Sequence, residues 1–394
     1  MTSNNVFVFM KRVLLFFLFA FIMMSFQAAA QKTTVPIYVW CGWNQERVSE
    51  DSLRATFELW KSHGVVGICA NCGFDTQKTA RCAAIAHQVG LEYHAWAPTM
   101  LQGGLDSTWY TVNRWGQSAY IQQHRAYVDY YQTLDPHNPE VVQWLLEKYI
   151  ELANVPNVDY VQFDYIRYAD VILAKGLWDK YQYRIHHAWQ DEQGHVCEYP
   201  GADYCYCDQC CADFKARTGI DIKAQLASGV DPATIPEWAQ FRCDNITKLV
   251  DTICHVLHAS GHKVSADVFP GPRSYAEPMV RQQWNRWSCD MFFPMNYNDF
   301  YVEDANWVGK VTKEEVGSTN QPVISGLFIC RDWQNRANIQ DPEGLGLSPK
   351  ELKIAAKKSL KAGASGICLF TPDRMTKEHW KALEEVILGK RAKR

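Results

Sequence analysis

Eight short apolar runs recur along this chain, each separated from the next by a stretch with helical periodicity. The runs are Val35–Cys41, Val65–Cys72, Leu91–Pro98, Val158–Tyr168, Lys263–Pro270, Cys289–Tyr297, Pro322–Cys330 and Gly363–Pro372. Amphipathic segments fall between and after them at Glu50–Ser62, Gln77–Gln88, Pro139–Ala153, Ile235–Ala259, Tyr275–Trp287, Glu303–Val316, Ser348–Lys361 and Lys377–Leu388. Strands that read as near-continuous apolar runs are buried on both faces, as parallel strands are. Eight of them alternating with helices predict an α/β fold of the (β/α)8 barrel type. An open doubly wound sheet would carry a Gly-rich phosphate turn after its first strand, and Cys41-Gly-Trp-Asn44 is not one. Local signals agree with the helices. Pro139 and Pro349 occupy first-turn positions after the caps Asn138 and Ser348, and Gly64, Gly90 and Gly261 follow helices where a left-handed residue is wanted.

Two connections exceed plain turns. Thr99–Asn138 follows the third strand, and Ala169–His262 follows the fourth and contains a cysteine-rich stretch. Both leave C-terminal strand ends, the face on which barrel enzymes build their sites. The first thirty residues stand apart. Lys11 and Arg12 precede the apolar run Val13–Phe26, and Ala28-Ala29-Ala30 offers a small-residue cleavage site, which predicts a signal peptide over 1–30 and one exported domain over 31–394. No Cys sits at the cleavage point to carry a lipid anchor, no later stretch is long and apolar enough to span a membrane, and the formal net charge of −3 gives no basic footprint for nucleic acid. A periplasmic or secreted protein is therefore expected.

The fourth run carries the strongest chemical signal. The two-residue strand period puts Val161 and Phe163 on one face of Val158-Asp-Tyr-Val-Gln-Phe-Asp-Tyr-Ile-Arg-Tyr168, and Gln162 and Asp164 on the other. A barrel strand whose inward face ends in a carboxylate reads as part of an active site. Polar residues gather at the other predicted strand tips: Trp43, Asn44, Asn71, His94, Trp96, Arg167, Asp267, Asn296, Tyr297, Asp299, Arg331, Asp332 and Asp373. Paired acids among aromatic rings suit glycoside cleavage, which needs one carboxyl group to protonate the leaving oxygen and another to act at the anomeric carbon. Asp164 is the leading catalytic candidate and Asp267 its partner, with Asp299 and Asp332 as rivals for the second role. Asn71, His94, Trp96, Arg167, Asn296, Tyr297 and Asp332 are the candidate sugar-binding residues. Asp290, near the start of the sixth strand, belongs to the opposite end of the barrel and is read as structural.

All fourteen cysteines follow residue 30. Cys41 and Cys72 end the first two strands, where a bridge is sterically reasonable. The group Cys197, Cys205, Cys207, Cys210 and Cys211 contains Cys-x-Cys-x2-Cys, a spacing that suits a structural tetrahedral zinc with Cys197 or Cys211 as fourth ligand, and equally a set of disulfides. No catalytic cofactor is expected.

The segment Leu134-Asp-Pro-His-Asn-Pro-Glu-Val141, followed by the Val158–Tyr168 strand, resembles the secreted bacterial barrels labelled family 10 glycosylhydrolase-like, whose hallmark runs L-x-P-x-N-P-E-V and then V-D-G-I-x-x-D-D-Y-R-Y-P. Cys289–Tyr297, Pro322–Gly326 and Gly363–Phe370 look similar too. The resemblance implies a (β/α)8 fold and hydrolysis of glycosidic bonds outside the cytoplasm, with one branch similar to enzymes that cut peptidoglycan strands lacking stem peptides. The first Asp of the family's pair falls on Asp164, and its Arg and second Tyr fall on Arg167 and Tyr168. Tyr165 replaces the second Asp, Tyr160 the Gly and Ala169 the Pro. The cysteine-rich stretch is instead similar to a Cys-x-Cys-x2-Cys-x3-Phe element of other bacterial barrel hydrolases, some of which hold zinc there. A non-catalytic carbohydrate-binding barrel of the cell envelope is the alternative, and a structural envelope protein a third.

Overall fold

The computed structural model describes residues 35–42, 48–185 and 189–391; the expected signal peptide, Trp43 and Asn44 lie outside the described residues. The barrel occupies the compact unit Pro36–Val386. Its eight parallel strands are β1 (Ile37–Cys41), β2 (Val65–Asn71), β3 (Glu92–Pro98), β4 (Tyr160–Asp164), β5 (Lys263–Val268), β6 (Met291–Pro294), β7 (Ile324–Phe328) and β8 (Gly366–Phe370). They are hydrogen-bonded in the order β6-β5-β4-β3-β2-β1-β8-β7. Between β6 and β7 the circle closes through the isolated bridges Phe292–Val323 and Met295–Gly326.

The helices are α1 (Glu50–Ser62), α2 (Thr76–Val89), α3 (Pro139–Ala153), α4 (Trp178–Ile185), α5 (Asp208–Thr218), α6 (Ile222–Ala227), α7 (Pro236–Ala259), α8 (Glu277–Val280), α9 (Trp307–Ser318), α10 (Pro349–Ala362) and α11 (Lys377–Arg391). The predicted caps form: Asn138 Oδ1 accepts from Glu140 N–H at 2.9 Å, and Ser348 and Glu351 make a reciprocal capping box on α10. Gly90 is left-handed at the end of α2, with φ 78°. The helix expected over Tyr275–Trp287 is broken. Arg281 turns left-handed after α8, and Gln282 then spends its amide on backbone, accepting from Phe269 N–H at 2.9 Å and donating to Ile166 O at 3.1 Å. A side chain that satisfies two buried main-chain groups outweighs one further helical turn. The barrel helix after β4 is α7, so the connection from β4 runs over residues 165–235.

The barrel interior is filled in layers, as the fold requires. His94 is fully buried in the lower one, stacked on Tyr160 at 4.4 Å between ring centroids and edge-on to Tyr38 and Phe293. Its Nδ1 pairs with Ser265 Oγ and its Nε2 with Glu92, both at 2.9 Å. Asp290 accepts from Val264 N–H at 2.8 Å and pairs with His258 at 2.9 Å, a structural position at the strand's N-terminal end.

Candidate active site

Register places the two leading carboxylates side by side. In the β4–β5 ladder Gln162 pairs with Ser265 and Phe163 with Ala266. One further step aligns Asp164 with Asp267, on strands about 5 Å apart. Trp96 and Trp40 rise from β3 and β1 on the same interior surface. The Trp96 indole N–H donates to Asp164 Oδ2 at 2.9 Å, and that of Trp40 donates to Asp267 Oδ1 at 2.9 Å. Gln162 Nε2 also donates to Asp267 Oδ1, at 3.0 Å. Asp164 Oδ1 accepts from the backbone N–H of Tyr165 at 2.7 Å, and Tyr165 takes φ 47° to present it. A non-Gly residue held left-handed costs on the order of 1 kcal/mol and persists where the surroundings demand it. Trp40 in turn needs Gly326, where a Cβ would come within 2.5 Å of the indole.

Both acids are pushed up from the ordinary carboxylate range, unequally. Burial raises Asp164, while Tyr165 N–H, the Trp96 indole and the Arg167 charge pull it back. Burial raises Asp267 strongly, the negative charge of Asp164 raises it further, and the Trp40 indole opposes them. Asp267 Oδ2 is buried and lacks a hydrogen-bond partner. Two carboxyl groups whose surroundings separate their affinities for a proton match an acid with a charged partner.

The pair lies at a cavity of about 380 Å³ whose walls are largely aromatic, including Tyr127, Tyr131, Tyr165, Phe269, Tyr297, Tyr301, Phe328 and Phe370. Arg167 lines it but does not bond Asp164. Its guanidinium donates to Asp170 at 2.8 Å and to Tyr131 Oη at 2.9 Å, with the Phe269 ring 4.8 Å from its carbon. The Tyr127 hydroxyl also donates to Asp170.

Of the residues expected to bind sugar, Trp96, Arg167 and Tyr297 line this cavity. The others are placed elsewhere, each for a visible reason. His94 belongs to the aromatic layer beneath. Asn71 Oδ1 accepts from Gly73 N–H at 3.2 Å in the turn after β2. Asp332 is exposed and accepts from Asn335 at 3.0 Å. Its rival Asp299 is held by Arg336 at 2.5 Å and Gly346 N–H at 2.8 Å. Asn296 is fully buried and donates to Glu315 and Ser325, each at 3.1 Å. Trp40, Tyr131 and Phe269 were missed as cavity residues; the β1 alternation places Trp40 inward with Tyr38, and would have found it.

Glu315 accepts from Gly271 N–H at 3.2 Å and is pushed up to about 8 by burial. A folded value above that of the unfolded chain means the stability it contributes is full in acid and is lost as pH rises through about 8. Glu315→Gln should therefore flatten the decline in thermal midpoint between about pH 5 and 8, which melts across that range would test; an unchanged slope would refute the assignment.

The cysteine cluster assembles differently from expectation. Cys205, Cys207 and Cys210 converge on Asp135, their ligand atoms all within 4.8 Å of one another, while Cys197 and Cys211 lie outside this group. No disulfide joins Cys41 to Cys72.

A parallel eight-stranded barrel with paired acids at adjacent strand tips is an architecture that glycosidases use. The chain belongs to the glycosyl hydrolase-like 10 family, whose model matches residues 60–318. Among solved structures it is similar to the catalytic domain of a β-amylase from Paenibacillus polymyxa, with 11% identity over 90% of this chain and 98% of that one and a TM-score of 0.56, a likeness of fold. A class V chitinase from Pseudomonas fluorescens Pf-5 aligns at 10% identity, 90% and 99% coverage and a TM-score of 0.49. No curated protein matches the chain. Among the described residues no helix is long and apolar enough to cross a membrane.

Proposed function

We propose that this chain is an exported glycoside hydrolase in which Asp267 is the general acid and Asp164 the charged carboxylate at the anomeric carbon. The observation that carries the reading is the pair of buried acids on adjacent strand tips, each tied to its own indole, at an aromatic cavity. Asp267, kept protonated by burial and by its neighbour, gives its proton to the glycosidic oxygen as the bond to the anomeric carbon breaks. If Asp164 attacks that carbon, the leaving group departs with the Asp267 proton, and Asp267 regains a proton from the water that cleaves the glycosyl–Asp164 ester. If Asp164 instead takes a proton from an attacking water, it ends protonated and Asp267 ionised, and proton exchange with solvent resets the pair. Aromatic walls offer stacking surfaces to the apolar faces of pyranose rings.

One observation favours a second reading. Tyr165 stands where the family pattern has its second Asp, so a barrel that binds glycan without cutting it is the competing function. Incubating the purified protein with a glycan panel that includes peptide-free peptidoglycan strands separates the two. Release of new reducing ends supports the hydrolase. Saturable binding with no release from any member favours the binding barrel and defeats the proposal.

A further inference from the structure

The Asp135 group lies outside the cavity, and the proposed reaction makes no use of it. Asp135 is 3% exposed, a fully enclosed carboxylate. Among the described residues its side-chain partners are the backbone N–H of His137 at 3.0 Å and the thiols of Cys205 at 3.2 Å, Cys207 at 3.1 Å and Cys210 at 3.6 Å, none of which is a cation. An ionised carboxylate buried without a positive partner is costly, and folded proteins pair such groups or give them a metal.

The spacing fits the second solution. A tetrahedral zinc with Zn–S of about 2.3 Å and Zn–O of about 2.0 Å sets oxygen and sulfur about 3.5 Å apart. The three O···S separations here bracket that value. The sulfurs are also presented as acceptors. Cys207 Sγ receives Cys210 N–H and Cys205 Sγ receives Val112 N–H, both at 3.4 Å, the outer-shell contacts that orient ligands. Three thiolates and one carboxylate select a borderline-soft divalent ion over magnesium or calcium, and four protein ligands leave no open position.

We infer that Asp135, Cys205, Cys207 and Cys210 hold a structural zinc ion, with Asp135 as the fourth ligand. The metal then fastens two connections that are distant in sequence: Asp135 comes from the segment after β3 and the cysteines from the segment after β4. Those same segments furnish the Tyr131–Arg167–Asp170 wall of the cavity. Tyr131 is four residues before Asp135, so the ion anchors that wall from outside the reaction site. The inference stands apart from the proposed hydrolysis, because metal content is read without any substrate.

The test is elemental analysis of the full-length protein, purified without chelating resins, followed by replacement of the metal with cobalt(II). One zinc per chain and a cobalt spectrum with tetrahedral and thiolate charge-transfer bands are expected. Asp135→Ala should weaken zinc binding by roughly 100-fold or more. If that variant does not fold, Asp135→Cys keeps the question open to measurement: a fourth thiolate should raise the charge-transfer absorbance by about a third. A metal-free protein with Cys205, Cys207 or Cys210 in a disulfide on non-reducing peptide mapping would overturn the site. A bound metal whose cobalt spectrum is the same with Asp or Cys at 135 would overturn Asp135 as its ligand.

Discussion

Asp164→Asn should abolish glycoside hydrolysis while leaving the protein folded. Asparagine has the shape of the aspartate and keeps an oxygen for one of its two donors, the Trp96 indole or the Tyr165 N–H, so one bond at the strand tip is given up and the packing is kept. What disappears is the negative charge at the anomeric carbon. The transition state there is cationic, and loss of its counter-charge or of the nucleophile is worth roughly 10⁴-fold in kcat, about 5.4 kcal/mol at 1.36 kcal/mol per decade. KM should move little, because ground-state contacts come from the aromatic walls. The check is kcat and KM on whichever glycan the native protein cuts, beside a thermal melt. A variant that turns over at the native rate would remove Asp164 from the mechanism.

Asp267→Asn should be nearly as damaging and has its own signature. General acid catalysis contributes about 10²–10⁴-fold. Its loss is felt most where the leaving group is a sugar alkoxide, and much less with an aryl glycoside whose phenol leaves unaided. A residue that merely shaped the cavity would not discriminate between leaving groups. The pH profile follows from the two displaced acids. Native activity requires Asp164 ionised and Asp267 protonated, so it rises above the raised Asp164 value and falls above the still higher Asp267 value. In Asp267→Asn the alkaline fall should vanish. Stability should move the opposite way to activity. A carboxyl whose folded value is raised stabilises in acid and loses that contribution as pH climbs from its unfolded value to its folded one. At neutral pH the Asp267→Asn variant should therefore melt later, with a gain of about 1–2 kcal/mol in stability. Equal losses on both substrate types, with no change in pH profile or melt, would leave Asp267 no part in proton transfer.

The chain's periodicity made the barrel readable because a parallel strand buried on both faces cannot be polar, and eight such runs with helices between them leave few architectures. Alternation likewise fixed the facing of Asp164, and the following strand gave Asp267 at the same level. What alternation does not give is depth. His94 and Trp96 share a face of β3, yet one is packed beneath the cavity and the other opens onto it, and the difference is set by the rings opposite. Asn296 ends its strand as a ligand-binding residue would, but a glutamate more than five helical turns' worth of residues away in sequence claims its amide. Asp135 escaped notice for a related reason. It sits in a segment that reads as a helix start, and its meeting with cysteines some seventy positions later is a tertiary event that local spacing does not encode.

The weak line in the barrel also bears on the site. Between β6 and β7 the main chains touch at isolated bridges, while the other neighbours share ladders of three or more paired residues. Mechanically the barrel is a strip of eight staves bent into a hoop and buckled along one edge, and the buckle includes the bonds from Asn296 to Ser325 and Glu315. β5 lies one stave in from that edge and β4 two. Slackening of the buckle shifts Tyr297 and Phe328 against each other, since they ride on opposite sides of it, but the spacing of Asp164 and Asp267 is set by an unbroken ladder. The two acids thus belong to the laddered part of the strip, and two rings of the cavity wall to either side of its buckle.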